Sequence, residues 1–343
     1  MIELIATAES VAQAKELVDC GVDILYIGED EYGLRLPYSF TREEQREVIA
    51  YAHEKGAQVS AAVNAIFHND RINQVAEYLA FLREAEVDSI TLGDPGVVQV
   101  MREQDLFIPY RYDAQVMVTS SGQINFWAKR GAVGSVLARE VPFEEMKKLI
   151  PGALVPVEVL VYGATCIHQS KRNLLENYFN FIEKEEAVNK ERGLFISEPK
   201  KVDSHYSIYQ DRNGTHIFAN NDLDLMPHLG ELTAIGVSQW MLDGLFTPGE
   251  NFVAIAKLFV EARELPMFDL QLTFAAGSSH DDGSAGLTLL TNAMLNEGVP
   301  GKDVGAIATG FENLGANFGN GAFRDMAIAS LRSLSAAEQR EPA

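Results

Sequence analysis

The chain has 343 residues, 47 % hydrophobic and 22 % charged, a balance that supports a packed core and excludes a disordered chain. A formal net charge of −21 excludes a broad phosphate-binding surface, though not a local basic pocket or a basic partner. No apolar run reaches the roughly 18 residues of a membrane span, no basic-then-apolar leader opens the chain, and two cysteines make no disulfide framework, so a cytoplasmic protein is expected.

Short β-branched runs alternate with amphipathic stretches over the first 260 or so residues. Strands are expected at Ile2–Ala6, Asp23–Gly28, Gln58–Val63, Asp88–Leu92, Ile108–Asp113, Val133–Ala138, Pro156–Val161 and Val237–Leu242. Between them, apolar residues at helical spacing predict helices at Glu9–Cys20, Arg42–Glu54, Arg71–Ala85 and Phe143–Ile150. Thr41 with Glu44 reads as a capping box and Asn69-Asp70 as a second start signal, while Gly21, Gly56 and Gly131 stand where C′ glycines belong. Alternating units of this kind predict a (β/α)8 TIM-type barrel, with an open doubly wound sheet as the competing arrangement.

The rhythm breaks at about residues 170–233, an insertion after the seventh strand. Phe179–Arg192 is charged and expected to be helical, and Ser197–Asn221 is turn-rich with a hairpin at Asp211-Arg212-Asn213-Gly214. Beyond residue 258 the character changes to a small α+β segment: a strand over Met267–Ala276, helices at Ala285–Leu295 and Val304–Leu314, a Gly- and Ala-rich turn, and a strand at Arg324–Leu334.

In a parallel barrel, polar side chains just past strand ends converge on one mouth. That rule gathers Glu29, Asn64, Asp94, Asp113, Gln115, Arg139, Glu140, Cys166 and Asp243, with Arg35 and Arg172 reaching the same rim to grip a carboxylate or phosphate. Pairs such as Arg139-Glu140 serve equally well as structural ion pairs. Cys166 reads as a nucleophile with His168 as its base, or as a plain buried thiol. Cys20 reads as core, His68 as a loop or cap residue, and His205 and His216 as lacking partners. Lys171-Arg172 with Tyr178 and Phe179 suits RNA by charge and stacking, but Leu174, Leu175, Tyr178 and Phe179 also form an ordinary apolar helix face, the reading favoured here.

Several separated blocks resemble peptidase family U32: Tyr32-Gly33-Leu34-Arg35, the stretch Val63 to Asp70, Gly93-Asp94-Pro95-Gly96, Leu137-Ala138-Arg139-Glu140, Gly163-Ala164-Thr165-Cys166, Leu174-Leu175-Glu176-Asn177-Tyr178-Phe179, Asn213-Gly214-Thr215-His216 and Asp243-Gly244. The resemblance spans residues 1–258 and implies a barrel enzyme or enzyme subunit of one of two kinds, a collagenase-like protease or a component of nucleic-acid or quinone-ring hydroxylation. The family's hydroxylases hold an iron–sulfur cluster on four cysteines. Cys166 matches the first, Asn173 stands at the second, and the insertion supplies no others. The pattern is most similar to the short, cysteine-poor member of a pair that makes 5-hydroxyuridine at the tRNA wobble position. That similarity implies a subunit that binds no cofactor by itself, with the cluster on a cysteine-rich paralogue as partner and tRNA met through a hetero-oligomer. Under it, Cys166, Glu140 and Arg139 are candidate catalytic residues, and Arg35, Asn64, Asp94, Gln115, Arg172 and Asp243 candidate substrate-binding residues. A U32 peptidase using Cys166 and a non-catalytic scaffold are the alternatives. Residues 259–343 resemble the start of an M16 zinc-peptidase-like subunit, carried by Glu264 to Leu270, Phe274 to Ser278 and Phe323-Arg324-Asp325-Met326; Thr288, Thr291 and Asn292 stand where the zinc motif would be, so no metal is expected there.

Overall fold

The computed structural model describes residues 2–113, 119–264, 267–281, 286–296, 298–299, 302–303, 305, 309–311 and 317–334. The chain divides into two compact units, Met1–Val260 and Glu261–Ala343.

The first unit runs β1 (Glu3–Thr7), α1 (Val11–Asp19), β2 (Ile24–Ile27), α2 (Arg42–Lys55), β3 (Gln58–Val63), α3 (Val75–Glu84), β4 (Ser89–Leu92), α4 (Pro95–Glu103), β5 (Tyr110–Asp113), α5 (Ser121–Ala128), β6 (Ala132–Val136), α6 (Phe143–Leu149) and β7 (Val157–Gly163). It continues through β8 (Cys166–Ser170), α7 (Leu174–Phe181), β9 (Phe195–Glu198), β10 (Lys201–Asp211), β11 (Gly214–Phe218), β12 (Leu223–Asp224), α8 (Leu229–Ala234), β13 (Gln239–Asp243) and α9 (Glu250–Glu264).

Strands β1 to β7 and β13 are parallel, and β1–β13 and β6–β7 pairing closes them into an eight-stranded (β/α)8 barrel. Their register is tight at the seam, where Glu3 to Ala6 stand opposite Gln239 to Leu242. The strands read as apolar runs because both faces are covered, by helices outside and by filling side chains inside. Ile5, Ile24, Leu160 and Met241 form one interior cluster, with Tyr26 packed against it. One charged layer lies in the same interior: Arg111 of β5 reaches Glu158 of β7 at 3.1 Å, both side chains under 10 % exposed.

Local signals position the helices. Thr41 Oγ1 accepts from the Glu44 amide while the Glu44 carboxylate accepts from the Thr41 amide, a complete capping box. Asn69-Asp70, by contrast, caps nothing. The Arg71 and Ile72 amides donate to the His68 carbonyl, a 3₁₀ turn follows at Ile72–Gln74, and α3 begins only at Val75.

The insertion departs most from expectation. It begins at Cys166 and not near residue 170, because Cys166–Ser170 is already a strand of a separate antiparallel sheet in the order β8-β11-β10-β9. The expected hairpin is present, with Asp211 opposite Gly214. The helix expected over Phe179–Arg192 is instead α7, which ends at Phe181; one 3₁₀ turn follows at Lys190–Arg192. Glu183 has φ +53°, and the run Glu183-Lys184-Glu185-Glu186 offers no apolar face to bury. Nor is α7 the four-residue core face that its spacing implied: Leu175 is buried, Tyr178 is 56 % exposed and Leu174 is exposed too. After the insertion, β12 runs antiparallel against Tyr162 and Gly163, so β7 pairs with β6 through its first residues and with β12 through its last.

The second unit holds β14 (Met267–Phe274), α10 (Leu287–Ala293), β15 (Gly298–Val299), β16 (Lys302–Asp303), β17 (Asn317–Ala322) and β18 (Ala327–Leu334). Its main sheet is antiparallel in the order β14-β18-β17. The Gly- and Ala-rich stretch expected to turn is strand β17, because Asn317 to Ala322 ladder against Arg332 to Ala327. The expected helix at Val304–Leu314 falls largely outside the described residues. The Thr288 amide and hydroxyl both donate to the Asp281 carboxylate, and Asn292 is buried with its carbonyl accepting from the Asn320 side-chain amide at 2.8 Å.

Candidate functional site

The C-terminal ends of the barrel strands enclose a cavity of about 150 Å³. Among its lining residues are Arg35, Asn64, Arg139, Glu140, Cys166 and Asp243, drawn from loops after β2, β3 and β6, from the start of β8 and from the end of β13. The chain segments supplying them, from Arg35 to Asp243, lie more than two hundred residues apart in sequence, and only barrel closure brings them together.

Each is held by groups that leave it little freedom. Arg35, itself at φ +55°, is 7 % exposed and donates from Nη1 to Gln169 Oε1 at 2.7 Å. Its loop is fixed by Asn64, whose Oδ1 accepts from the Leu34 amide at 2.8 Å and whose Nδ2 donates to Asp113 Oδ2 at 2.7 Å. Arg139 bridges two strand ends: Nη1 donates to the Ala164 carbonyl at 2.5 Å, and Nη2 lies 3.3 Å from Asp243 Oδ2. Asp243 Oδ1 also accepts from the Leu245 amide.

Burial dominates the electrostatics here. It pushes the Asp243 and Glu158 carboxyls above their ordinary values, although Arg139 and Arg111 respectively pull them down. Tyr26, enclosed and facing Asp113 and Glu158, is raised well above 10.0. A second cavity of about 350 Å³ shares Leu34, Asn64, Asp113 and Gln169 with the first and adds Ile66, His68 and Lys171, so the mouth opens into an outer chamber with a cationic side chain.

The other expected rim residues are elsewhere. Asp94 accepts from the Gly96 amide at 2.7 Å and the Phe67 amide at 2.9 Å: it caps α4 and anchors the loop after β3. Glu29 pairs with Arg42 on the outer side of the barrel. Arg172 is exposed between β8 and α7 and lines neither cavity; its neighbour Lys171 does. Gln115 lies outside the described residues.

His168 is not the partner of Cys166. The β8–β11 register shifts between the Cys166–Phe218 and His168–Ile217 pairs, and His168 is exposed, contributing only its backbone carbonyl, which the thiol meets at 3.4 Å. The imidazole beside the thiol is that of His216. It is completely buried, its Nε2 lies 3.0 Å from Asp211 Oδ1, and its Nδ1 has no hydrogen-bond partner. Burial raises the Cys166 thiol, but His216, Arg35 and Arg139 outweigh it, and the net direction is down from 9.0. For His216, burial pulls the pKa down while Asp211 and Cys166 pull harder, and the net direction is up from 6.5. The alternation Asn213-Gly214-Thr215-His216 across the hairpin from Asp211 was the signal for this pair: with Asp211 opposite Gly214, His216 falls on the same face as Asp211.

A four-thiolate cluster does not fit this chain. Cys20 lies at the end of α1, donating to the Leu17 carbonyl, Cys166 lies on β8, and Asn173 precedes α7 with its side chain on Glu176. Among the described residues no group of three or more His, Cys, Asp or Glu is placed to hold a metal ion. No helix among them is long and apolar enough to cross a membrane.

Comparison with known proteins adds the following. Residues 9–272 match the family model described as peptidase family U32. The tRNA hydroxylation protein P2 of Bacillus subtilis is 38 % identical over 266 residues, covering 77 % of this chain and 86 % of that protein. The tRNA hydroxylation protein P1 of the same organism is 25 % identical over 71 % of this chain and 58 % of its own length. A crystal structure of a peptidase M16 inactive domain from Pseudomonas fluorescens is 76 % identical over 23 % of this chain and 19 % of that one, with a TM-score of 0.22.

Proposed function

Because the chain belongs to peptidase family U32, we propose that it is a cytoplasmic subunit in the C5 hydroxylation of tRNA wobble uridine, acting with a cysteine-rich paralogue of the same family. The observation that carries this reading is the 38 % identity to the P2 protein over nearly that protein's whole length, combined with a sequence of only two cysteines. A chain unable to ligate a cluster alone is consistent with a division of labour in which the partner carries the iron–sulfur chemistry. The net charge of −21 points the same way: the partner, and not this surface, supplies most of the phosphate contacts.

In this division the barrel mouth positions a small anionic co-substrate or the target nucleotide. Arg35 and Arg139 present guanidinium groups into the cavity, and Lys171 adds a cation in the outer chamber. Arg172, on the exposed turn beside it, is available to the same nucleic acid. The peptidase alternative has less support, since the more similar relative carries a hydroxylation name.

The test is nucleoside mass spectrometry of total tRNA from a strain lacking the gene. Loss of the 5-hydroxyuridine-derived nucleosides, restored by the wild-type chain but not by Arg139→Ala, is the expected result. An unchanged pool in a strain with no second copy overturns the proposal.

A further inference from the structure

Cys166, His216 and Asp211 stand in a chain that the hydroxylation reading does not use. The sheet register explains why. Cys166 of β8 is paired with Phe218 of β11, and His216 lies two residues before Phe218 on the same face; Tyr209 of β10 is opposite His216. The Tyr209 ring lies 5.0 Å from the imidazole, and Phe218 stacks on Tyr209 at 5.6 Å. The imidazole is therefore sealed from water and oriented by Asp211 through Nε2; it stands beside the Cys166 thiol, and its Nδ1 has no other hydrogen-bond partner. A buried nitrogen without a partner costs free energy, on the order of 1–3 kcal/mol, which a transferable thiol proton would recover.

We propose that Cys166, His216 and Asp211 form a nucleophilic thiolate site that opens on the barrel-mouth cavity and reacts with a small carbon electrophile. With Nε2–H donating to Asp211, Nδ1 carries the lone pair and takes the proton from Sγ. The thiolate sulfur then forms the carbon–sulfur bond, and the leaving group departs with the bonding electron pair. The proton on His216 passes to that leaving group or to solvent. Cys166 lines the cavity, and a volume of about 150 Å³ restricts the electrophile to a few heavy atoms. The charged and titratable groups acting on the thiol are His216, Arg35 and Arg139, with Tyr209 close enough to feel it and the His168 carbonyl accepting from it. The two guanidiniums favour the thiolate, and Asp243 is partly neutralised by Arg139. Cys20 is the natural internal reference: burial raises its thiol, and no imidazole accompanies it.

The site stands independently of the proposed hydroxylation role. It is tested by alkylating the full-length chain with iodoacetamide and following each cysteine by peptide mass spectrometry from acid to alkaline pH. Expected is Cys166 reacting about tenfold or more faster than Cys20 at neutral pH, with a rate profile whose midpoint lies below the ordinary thiol value of 9.0. His216→Gln should move that midpoint up to or beyond the ordinary value, and Asp211→Asn should move it part of the way, with Cys20 unchanged in both. The wild-type profile decides alone if the variants fail to fold. A midpoint at or above that of free glutathione, or a Cys166 rate indifferent to His216→Gln in folded protein, overturns the proposal.

Discussion

Asp243 is 5 % exposed at the end of β13 and depends on Arg139 for its compensation. Removing the guanidinium leaves a buried carboxylate unpaired, so Arg139→Ala should cost about 3 kcal/mol, measured by urea unfolding. Asp243→Asn should cost less, because the guanidinium it strands is more exposed, at 19 %, and keeps the Ala164 carbonyl as a partner. Burial also sets a pH dependence. The Asp243 pKa is raised above 3.8 in the folded chain, so as pH climbs past that value the unfolded chain releases its proton first. The folded state then binds more protons, and its stability falls as pH rises through the folded value. Melting temperature followed from acid to neutral pH should fall less steeply in Asp243→Asn than in the wild type. Two glycines make a sharper contrast. Gly163 has φ +117°, and an added Cβ would sit 2.1 Å from the Asp243 carbonyl oxygen, whereas Gly56 at φ +80° has nothing within 4 Å. Gly163→Ala should therefore lose several kcal/mol or fail to fold, and Gly56→Ala about 1 kcal/mol, as read by thermal melts of both.

At the scale of elements, the barrel strands were legible because β-branched runs bounded by turn residues carry their own signature, and every expected strand is present within a few residues. The insertion was not, because its elements are stabilised from outside themselves. Helix α7 has no cap of its own: Gln210 Oε1 accepts from the Leu175 amide at 3.1 Å, and Thr215 Oγ1 from the Leu174 amide at 3.0 Å, both from the neighbouring sheet. The Arg111–Glu158 pair couples β5 to β7 across the barrel interior in the same nonlocal way. Arg111→Met alone should cost about 3–5 kcal/mol by stranding Glu158, and Arg111→Met with Glu158→Leu should recover most of it. A double-mutant cycle in guanidinium chloride measures the difference; additive losses would mean that the pair is not coupled.

For the whole molecule, contacts concentrate within Met1–Val260 and within Glu261–Ala343, and the barrel seam β1–β13 closes before α9 ends. A chain ending at residue 264 should keep a single cooperative melting transition and the circular dichroism of an α/β barrel. A broad transition, or loss of soluble protein, would show that the second unit supports the first. The net charge of −21 sets a second property of the whole: self-repulsion that added salt screens, keeping the chain dispersed at low ionic strength.

By itself the sequence determined the alternating strands and helices of a parallel α/β unit, the strand positions and the polar residues that follow them, because hydrophobic periodicity and turn chemistry are local; closure into a barrel was decided by the β1–β13 and β6–β7 pairing. It also showed two cysteines, too few for this chain alone to supply four thiolates. Only the tertiary structure decided which polar residues share the mouth: Arg35 and Arg139 turn inward while Asp94 becomes a helix cap and Arg172 stays outside. It alone decided that Cys166 belongs with His216 and not His168. Nearness in sequence did not place His168 at the thiol, because the register breaks between the two residues, whereas antiparallel pairing brings side chains fifty residues apart onto one sheet.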